Sequence, residues 1–89
     1  MTATDPNILP AASAQQVLEY LTRQLVDDPD AVSVDAEPGS SRTVLNVRVA
    51  PGDMGRVIGK RGRVANAIRT VVRAAAVRDG VEVDVEFLD

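Results

Sequence analysis

The sequence predicts one small α+β domain, in which helices pack on one face of a three-stranded sheet in the order helix, strand, strand, helix, helix, strand. Three observations predict this fold. A chain of 89 residues supplies one core and no second one. Apolar residues recur at helical spacing in some segments and alternate with polar residues in three others. Glycine and proline separate these segments.

The first predicted helix follows a proline-containing leader, residues 1–12, which we expect to be flexible and to lie outside a domain of residues 13–89. The tetrapeptide from Ser13 to Gln16 matches a capping box, in which both side chains satisfy N–H groups at the helix start. Apolar residues then follow at helical spacing. Pro29 stops the helix, because the residue before a proline disfavours the α region.

Three strands are predicted from alternating apolar and polar residues. The alternation over 32–37 resumes over 43–50, which predicts a hairpin with one buried face. Pro38-Gly39 is typical of a type II turn, because Pro sets φ and Gly supplies a positive φ. The last strand, 81–87, has the clearest alternation, and we expect its acidic residues to form a solvated face.

Between the second and third strands, the sequence predicts a short helical turn, a break and a longer helix. Asp53 is placed to cap the short turn Met54–Ile58, and Gly59 and Gly62 interrupt the helical pattern. The longer helix ends before Gly80, since glycine is common just past a helix end. The apolar stripe that we expect to face the core is Val64, Ala67, Ile68, Val71, Val72 and Ala75.

Composition excludes several functions. The chain has no Cys and no His, which removes disulfides, a thiol nucleophile, the usual general base and the commonest zinc ligand. We therefore expect a protein that is not an enzyme and that uses no metal and no cofactor. The first residues do not resemble a signal peptide, and no apolar run approaches the length of a membrane span. We expect a cytoplasmic protein with no membrane partner.

The net charge of −3 hides a strong asymmetry. Seven basic residues and no acidic residue lie between Gly55 and Arg78, whereas the rest of the chain has three basic and thirteen acidic residues. The segment thus carries +7 and the remainder −10. Because screening confines charge effects to about 10 Å at 0.1 M salt, a polyanion responds to the local field. The acidic excess predicts that a nucleic acid contacts one face only.

The tetrapeptide Gly59-Lys60-Arg61-Gly62 lies at the centre of the basic segment, between two predicted helices. Glycines let the backbone approach a ligand closely, and the following helix N-terminus attracts anions. The motif therefore predicts a phosphate clamp, which holds a sugar-phosphate backbone with little sequence information. A nucleoside triphosphate loop fits worse, because the glycine spacing is one residue short and Arg61 stands where Ser or Thr must bind magnesium.

With this motif in this order of elements, the chain resembles a type II KH domain, whose GxxG loop clamps about four nucleotides of single-stranded nucleic acid. The runs from Gly55 to Arg63 and from Ala67 to Val72 resemble those of small bacterial KhpA-type RNA-binding proteins. The resemblance extends from about Ser13 to the end of the chain. Asn66 stands where these proteins often have a basic residue.

The resemblance implies single-stranded RNA binding with low sequence specificity, and a dimer acting in post-transcriptional regulation or RNA chaperoning. The implied partners are RNA, a second copy and a KhpB-like KH protein. Backbone N–H groups and basic side chains would hold phosphates, while apolar side chains would contact bases. The candidate RNA-binding residues are Gly59, Lys60, Arg61, Gly62, Arg56, Val57, Ile58, Arg63 and Val64.

Some assignments remain open at this level. Arg56 and Arg63 are either phosphate contacts or ordinary helix-surface residues, and Arg69 and Arg73 are either contacts or solubilising charges. The apolar candidates are also expected to contribute to the core. An alternative function is a protein-interaction module, in which the KH fold mainly mediates homo- or heterodimerisation.

Overall fold

The computed structural model describes residues 12–88 and has the predicted α+β architecture. The helices and strands are α1 (Ala12–Leu25), β1 (Ser33–Pro38), β2 (Thr43–Arg48), α2 (Met54–Asp79) and β3 (Val83–Leu88), with short 3-10 helices at Pro29–Ala31 and Pro51–Asp53. The predicted leader falls largely outside the described residues, but Ala12, assigned to it, is helical. Among residues 12–88, no helix is long and apolar enough to cross a membrane.

The three strands form one mixed sheet in the order β1-β2-β3. β1 and β2 are antiparallel neighbours joined by a hairpin, whereas β2 and β3 are parallel and are connected by α2. Leu45 and Val47 of β2 are fully buried and belong to the same core cluster as Leu18 of α1 and Val72 of α2. Both helices therefore cover one face of the sheet, as predicted.

The other face of the sheet is acidic and solvated. By the pairing register, β1 and β3 place their carboxylates on this face, on either side of β2: Asp35, Glu37, Asp84 and Glu86. Arg42, in the hairpin loop, donates to both oxygens of Asp84 at 3.2 and 3.0 Å. Hydrogen bonding to Asp84 is the main cause of the raised pKa of Arg42. We call this surface the acidic face.

The start of α1 is stabilised by the end of α2 and not by a local capping box. The backbone N–H groups of Ser13 and Ala14 donate to Oδ2 of Asp79, at 3.1 and 3.2 Å. The predicted capping role of Ser13 is therefore wrong, because Ser13 lies inside the helix. A carboxylate near a helix N-terminus also interacts favourably with the helix dipole. Gly80, which follows Asp79, has φ 71° and ends α2 as predicted.

The hairpin loop differs from the predicted type II turn. Pro38 is the last residue of β1, and the backbone N–H of Gly39 donates to the carbonyl of Arg42 at 2.8 Å. Gly39 is not among the glycines with positive φ, which a type II turn would require. A Cβ at Gly39 would lie 2.7 Å from the carbonyl oxygen of Arg42. The glycine is thus required for close backbone approach.

The apolar stripe predicted for the long helix is only partly buried. Ile68 and Val72 face the core as expected, whereas Ala67 is exposed and Val71 is 49% exposed. The buried side of this helix is completed by Ala65 and Ala76. The apolar arc of α2 is therefore wider than the part that the core covers, and some of it remains on the outside of the helical layer.

Candidate nucleic-acid interface

The long helix α2 is interrupted where the sequence places its GxxG motif. Lys60 (φ 54°, ψ 52°), Arg61 (φ 60°, ψ 34°) and Gly62 (φ 83°, ψ 3°) are consecutive left-handed residues, and Gly59 is also non-helical. The helix is regular on either side, so the predicted short turn, break and longer helix are confirmed. We call residues 59–62 the GxxG turn.

The conformation of the GxxG turn is costly for its two central residues. Glycine adopts the left-handed region freely, but for other L-residues it costs roughly 1–2 kcal/mol each. Lys60 and Arg61 are the non-glycine residues with positive φ in the described part of the chain. Strain of this kind is often found at ligand-binding sites.

Three cationic side chains surround the GxxG turn without carboxylate partners. Lys60, Arg61 and Arg63 are exposed, and they line a shallow depression of about 240 Å³. Within residues 12–88, no ion pair joins any of them to an acidic residue. The positive charge of the turn is therefore available to an external anion.

Other basic side chains of α2 are already engaged. Arg69 donates from Nε to the carbonyl of Val85 at 3.2 Å and lies 5.2 Å from the centroid of the Phe87 ring. Arg73 lies 3.6 Å from a carboxylate oxygen of Asp84. Both side chains thus reach the outer edge of β3, which gives them structural contacts that their helical positions alone did not reveal.

Arg56, a predicted RNA contact, is held by two carboxylates. Its Nη2 atom lies 2.8 Å from Oδ2 of Asp27, and its Nε atom lies 3.5 Å from Oδ1 of Asp53. Asp53 makes no capping bond to α2, contrary to the prediction. Its carboxylate instead accepts the backbone N–H groups of Asp27 and Asp28. Sequence reasoning missed this cluster, because Asp27 and Asp28 lie more than twenty residues before Asp53 and Arg56 in the chain.

The apolar candidates are placed differently from one another. Val57 is fully buried in the core, so it presents no surface to a ligand in this structure. Ile58 is 43% exposed, and Val64 is half-buried. A Cβ built on Gly59 would lie 3.8 Å from a methyl carbon of Val64, which places Val64 beside the GxxG turn. Ile58 and Val64 are thus the accessible apolar groups there.

An apolar groove runs between α1 and the second part of α2, starting near the GxxG turn. Its volume is about 310 Å³. The residues that line it are Leu21, Gln24, Leu25, Val64, Ala67, Ile68 and Val71. The groove contains the exposed part of the apolar arc of α2, and sequence analysis did not identify it because periodicity assigns its apolar residues to the core.

A three-stranded sheet covered on one face by helices, with a GxxG turn in the helical layer, is the architecture of a KH domain. A family model described as "KhpA/KhpB, KH domain" matches residues 15–87 of the chain. The chain belongs to this family, and the resemblance inferred from its motif is confirmed.

Several curated relatives are similar over most of the chain. The RNA-binding protein KhpA of Clostridium acetobutylicum is 50% identical over 74 residues, which cover 83% of this chain and 99% of that protein. The RNA-binding protein KhpA of Streptomyces coelicolor is 47% identical over 75 residues, covering 84% of this chain and 94% of that protein. These relatives are therefore small proteins of nearly the same extent.

Two solved structures share the fold at 20% sequence identity. Aquifex aeolicus Era bound to GDP·AlF4⁻ matches with a TM-score of 0.57 over 83% of this chain and 29% of that one. Era in complex with MgGDPNP and nucleotides 1506–1542 of 16S ribosomal RNA matches with a TM-score of 0.59 over 89% of this chain and 30% of that one. This chain spans less than a third of either, and the likeness concerns the fold alone.

Proposed function

We propose that this chain is a cytoplasmic single-stranded RNA-binding protein, and not an enzyme, that holds about four nucleotides at its GxxG turn. The observation that carries the proposal is the left-handed turn, with three cations over residues 60–63 that have no ion-pair partner among residues 12–88. Lys60, Arg61 and Arg63 would contact phosphates, together with backbone N–H groups at the start of the following helix. The relatives' name, RNA-binding protein KhpA, supports RNA as the ligand.

The proposed contacts predict low sequence specificity. Phosphate contacts position a strand without reading its bases. Ile58 and Val64 would contact bases by apolar packing, and Val57 would support them from the core. The acidic face repels RNA and thereby restricts it to the opposite side of the molecule. A function in post-transcriptional regulation or RNA chaperoning agrees with such a binding mode.

Charge reversal at the turn tests the proposal. Aspartate tolerates the left-handed region better than most residues, so Lys60→Asp combined with Arg61→Asp should leave the fold intact. We expect this variant to lose at least about tenfold in affinity for a mixed-sequence single-stranded RNA, since two phosphate contacts become repulsive. Affinity is measured by fluorescence anisotropy, and folding by far-UV circular dichroism.

A matched control has the same change in net charge. Arg48 and Arg78 are exposed and make no ion pair within the described part of the chain, and the pairing register places Arg48 on the acidic face. The variant with both residues changed to Asp should bind RNA much better than the turn variant. Equal affinities of the two folded variants would show that the turn is not the site.

The apolar groove favours a second function, dimerisation. A homodimer, or a heterodimer with a KhpB-like KH protein, would bury the exposed apolar residues of α1 and α2. One clamp binds weakly, and two linked clamps gain effective concentration on one RNA. Burying exposed apolar side chains contributes about 25 cal/mol per Å². In this alternative, the protein is an interaction module whose KH fold mainly mediates homo- or heterodimerisation.

Two valines on α2 separate this function from RNA binding. Val71 lines the groove, whereas Val77 is exposed outside it. Val71→Asp should weaken self-association or binding to a KhpB-like protein, as measured by sedimentation equilibrium, and Val77→Asp should not. Equal behaviour of the two variants would contradict a role of the groove. If charge reversal at the turn abolishes RNA binding but not the cellular phenotype, dimerisation is the primary function.

A further inference from the structure

Arg56 lies on α2 just before the GxxG turn, and its guanidinium is already occupied. Arg56 precedes Gly59 by three residues, which is about 5 Å along a helix axis. Its guanidinium contacts Asp27 at 2.8 Å and Asp53 at 3.5 Å. An RNA strand that extends from the turn along the start of α2 would therefore meet an arginine whose hydrogen-bonding edge already faces a carboxylate of the same chain.

The two carboxylates differ in how firmly they are held. The side chain of Asp53 is 5% exposed, and both of its oxygens accept backbone N–H groups at 3.1 Å. The side chain of Asp27 is 74% exposed, and Arg56 is its one ion-pair partner among residues 12–88. Asp53 is thus part of the fold, whereas the carboxylate of Asp27 can turn into solvent without breaking another contact.

We propose that Asp27 competes with RNA phosphate for Arg56. In the RNA-free protein the carboxylate of Asp27 occupies the guanidinium, and this lowers the affinity of the protein for RNA. Phosphate would replace the carboxylate of Asp27 at the outer edge of the guanidinium, while Asp53 keeps the arginine in place. The proposal rests on the function proposed above. It assigns Asp27 to the control of affinity, although its charge is opposite to that expected in an RNA-binding site.

The physical consequence is an exchange of one anion for another. Exposed ion pairs are weak and contribute at most about 1 kcal/mol, equivalent to about a fivefold change in affinity. A phosphate can therefore displace Asp27, but only at the expense of that pair. Without the carboxylate of Asp27, the outer edge of the Arg56 guanidinium is free before RNA arrives, and phosphate binds it without breaking an ion pair.

The chain offers a matched pair of substitutions for the test. Asp27→Asn removes the competing carboxylate, whereas Asp28→Asn removes the same charge one residue away. Within residues 12–88, the carboxylate of Asp28 makes no hydrogen bond or ion pair, and Asp28 reaches Asp53 through its backbone N–H group. Any difference between the two variants therefore reports the contact with Arg56 and not the long-range change in field.

Affinity for a mixed-sequence single-stranded RNA is measured with the full chain at several salt concentrations. We expect Asp27→Asn to bind about threefold more tightly at 0.1 M salt. The gain should shrink at higher salt, because salt screens the ion pair that the substitution removes. Asp28→Asn should change affinity by less than about twofold. Adding Arg56→Gln to Asp27→Asn should remove the gain, leaving the affinity of Arg56→Gln alone.

The outcomes separate this inference from the function on which it rests. Equal affinities of Asp27→Asn and Asp28→Asn, weaker binding by Asp27→Asn, or a gain that survives Arg56→Gln would each overturn the inference. In those cases, loss of binding in the Lys60→Asp, Arg61→Asp variant would leave the proposed function standing. Unchanged binding in that variant would overturn the clamp, even if the gain at Asp27 were found. Absence of RNA binding by the wild-type chain would overturn both.

Discussion

Replacing Asp53 by alanine should lower the free energy of unfolding by about 3 kcal/mol. The Asp53 carboxylate is buried, and its oxygens accept the N–H groups of Asp27 and Asp28, both at 3.1 Å. Hydrogen bonds to charged groups contribute about 1.5–3 kcal/mol each. We take the lower end for both, because Asp27 and Asp28 are exposed and water can reach their N–H groups once the carboxylate is gone. The exposed contact with Arg56 adds little.

The assay is urea unfolding followed by far-UV circular dichroism, with thermal unfolding as a second measure. A loss of about 3 kcal/mol is a large fraction of the roughly 5–15 kcal/mol typical of a domain. The midpoint of thermal unfolding should fall by about 12–24 °C for a chain of this size. The predicted loss therefore greatly exceeds the error of either measurement.

Two controls make the prediction specific. Asp53→Asn keeps one acceptor oxygen and should lose about half as much stability. Asp28→Asn changes an exposed side chain and should stay within about 0.5 kcal/mol of the wild type. An Asp53→Ala variant that also lies within this range would refute the conclusion that Asp53 joins the end of α1 to the start of α2.

Three further predictions concern stability and use the same unfolding assays. Thr22→Val should stabilise the fold by about 1 kcal/mol, because the Thr22 hydroxyl is buried without a hydrogen-bond partner in the described structure. A loss of stability would mean that the hydroxyl does have a hydrogen-bond partner. Gly62→Ala should lower the free energy of unfolding by about 1–2 kcal/mol because φ at Gly62 is 83°, and Gly62→Asn should lower it less. Equal losses in the two variants would exclude backbone strain as their cause. Asp79→Ala should cost about 2 kcal/mol by removing the acceptor at the start of α1, and Asp79→Asn less; an unchanged Asp79→Ala variant would contradict this.

Local sequence patterns predicted most of the helices, strands and breaks of the fold. Alternation identified all three strands, although β3 begins at Val83 and not at residue 81. The position of Gly80 identified the end of α2, because a left-handed residue at a helix end is a local requirement. The break at Gly59–Gly62 was equally readable, since two glycines interrupt an otherwise helical pattern. In each case, the deciding interaction lies within a few residues.

Three of the wrong predictions share one cause. The predicted capping roles of Ser13 and Asp53 assumed a partner within the same helix, but the tertiary structure supplies other partners. Val71 was assigned to the core because periodicity identifies an apolar side of a helix without showing how much of it another element covers. Caps and burial depend on which elements meet, and this is not encoded in local spacing.

At the candidate site, too, local sequence determined some properties and tertiary packing determined others. The sequence by itself determined the GxxG motif, the +7 segment around it and the acidic remainder, because these are properties of neighbouring residues. Only the tertiary structure decided which charges remain free. It pairs Arg56 with Asp27, which is distant in sequence, and leaves Lys60 and Arg61 without a carboxylate partner among residues 12–88. Charge is fixed by composition, but its availability depends on distances of a few ångströms that arise only when α1, α2 and the sheet pack together.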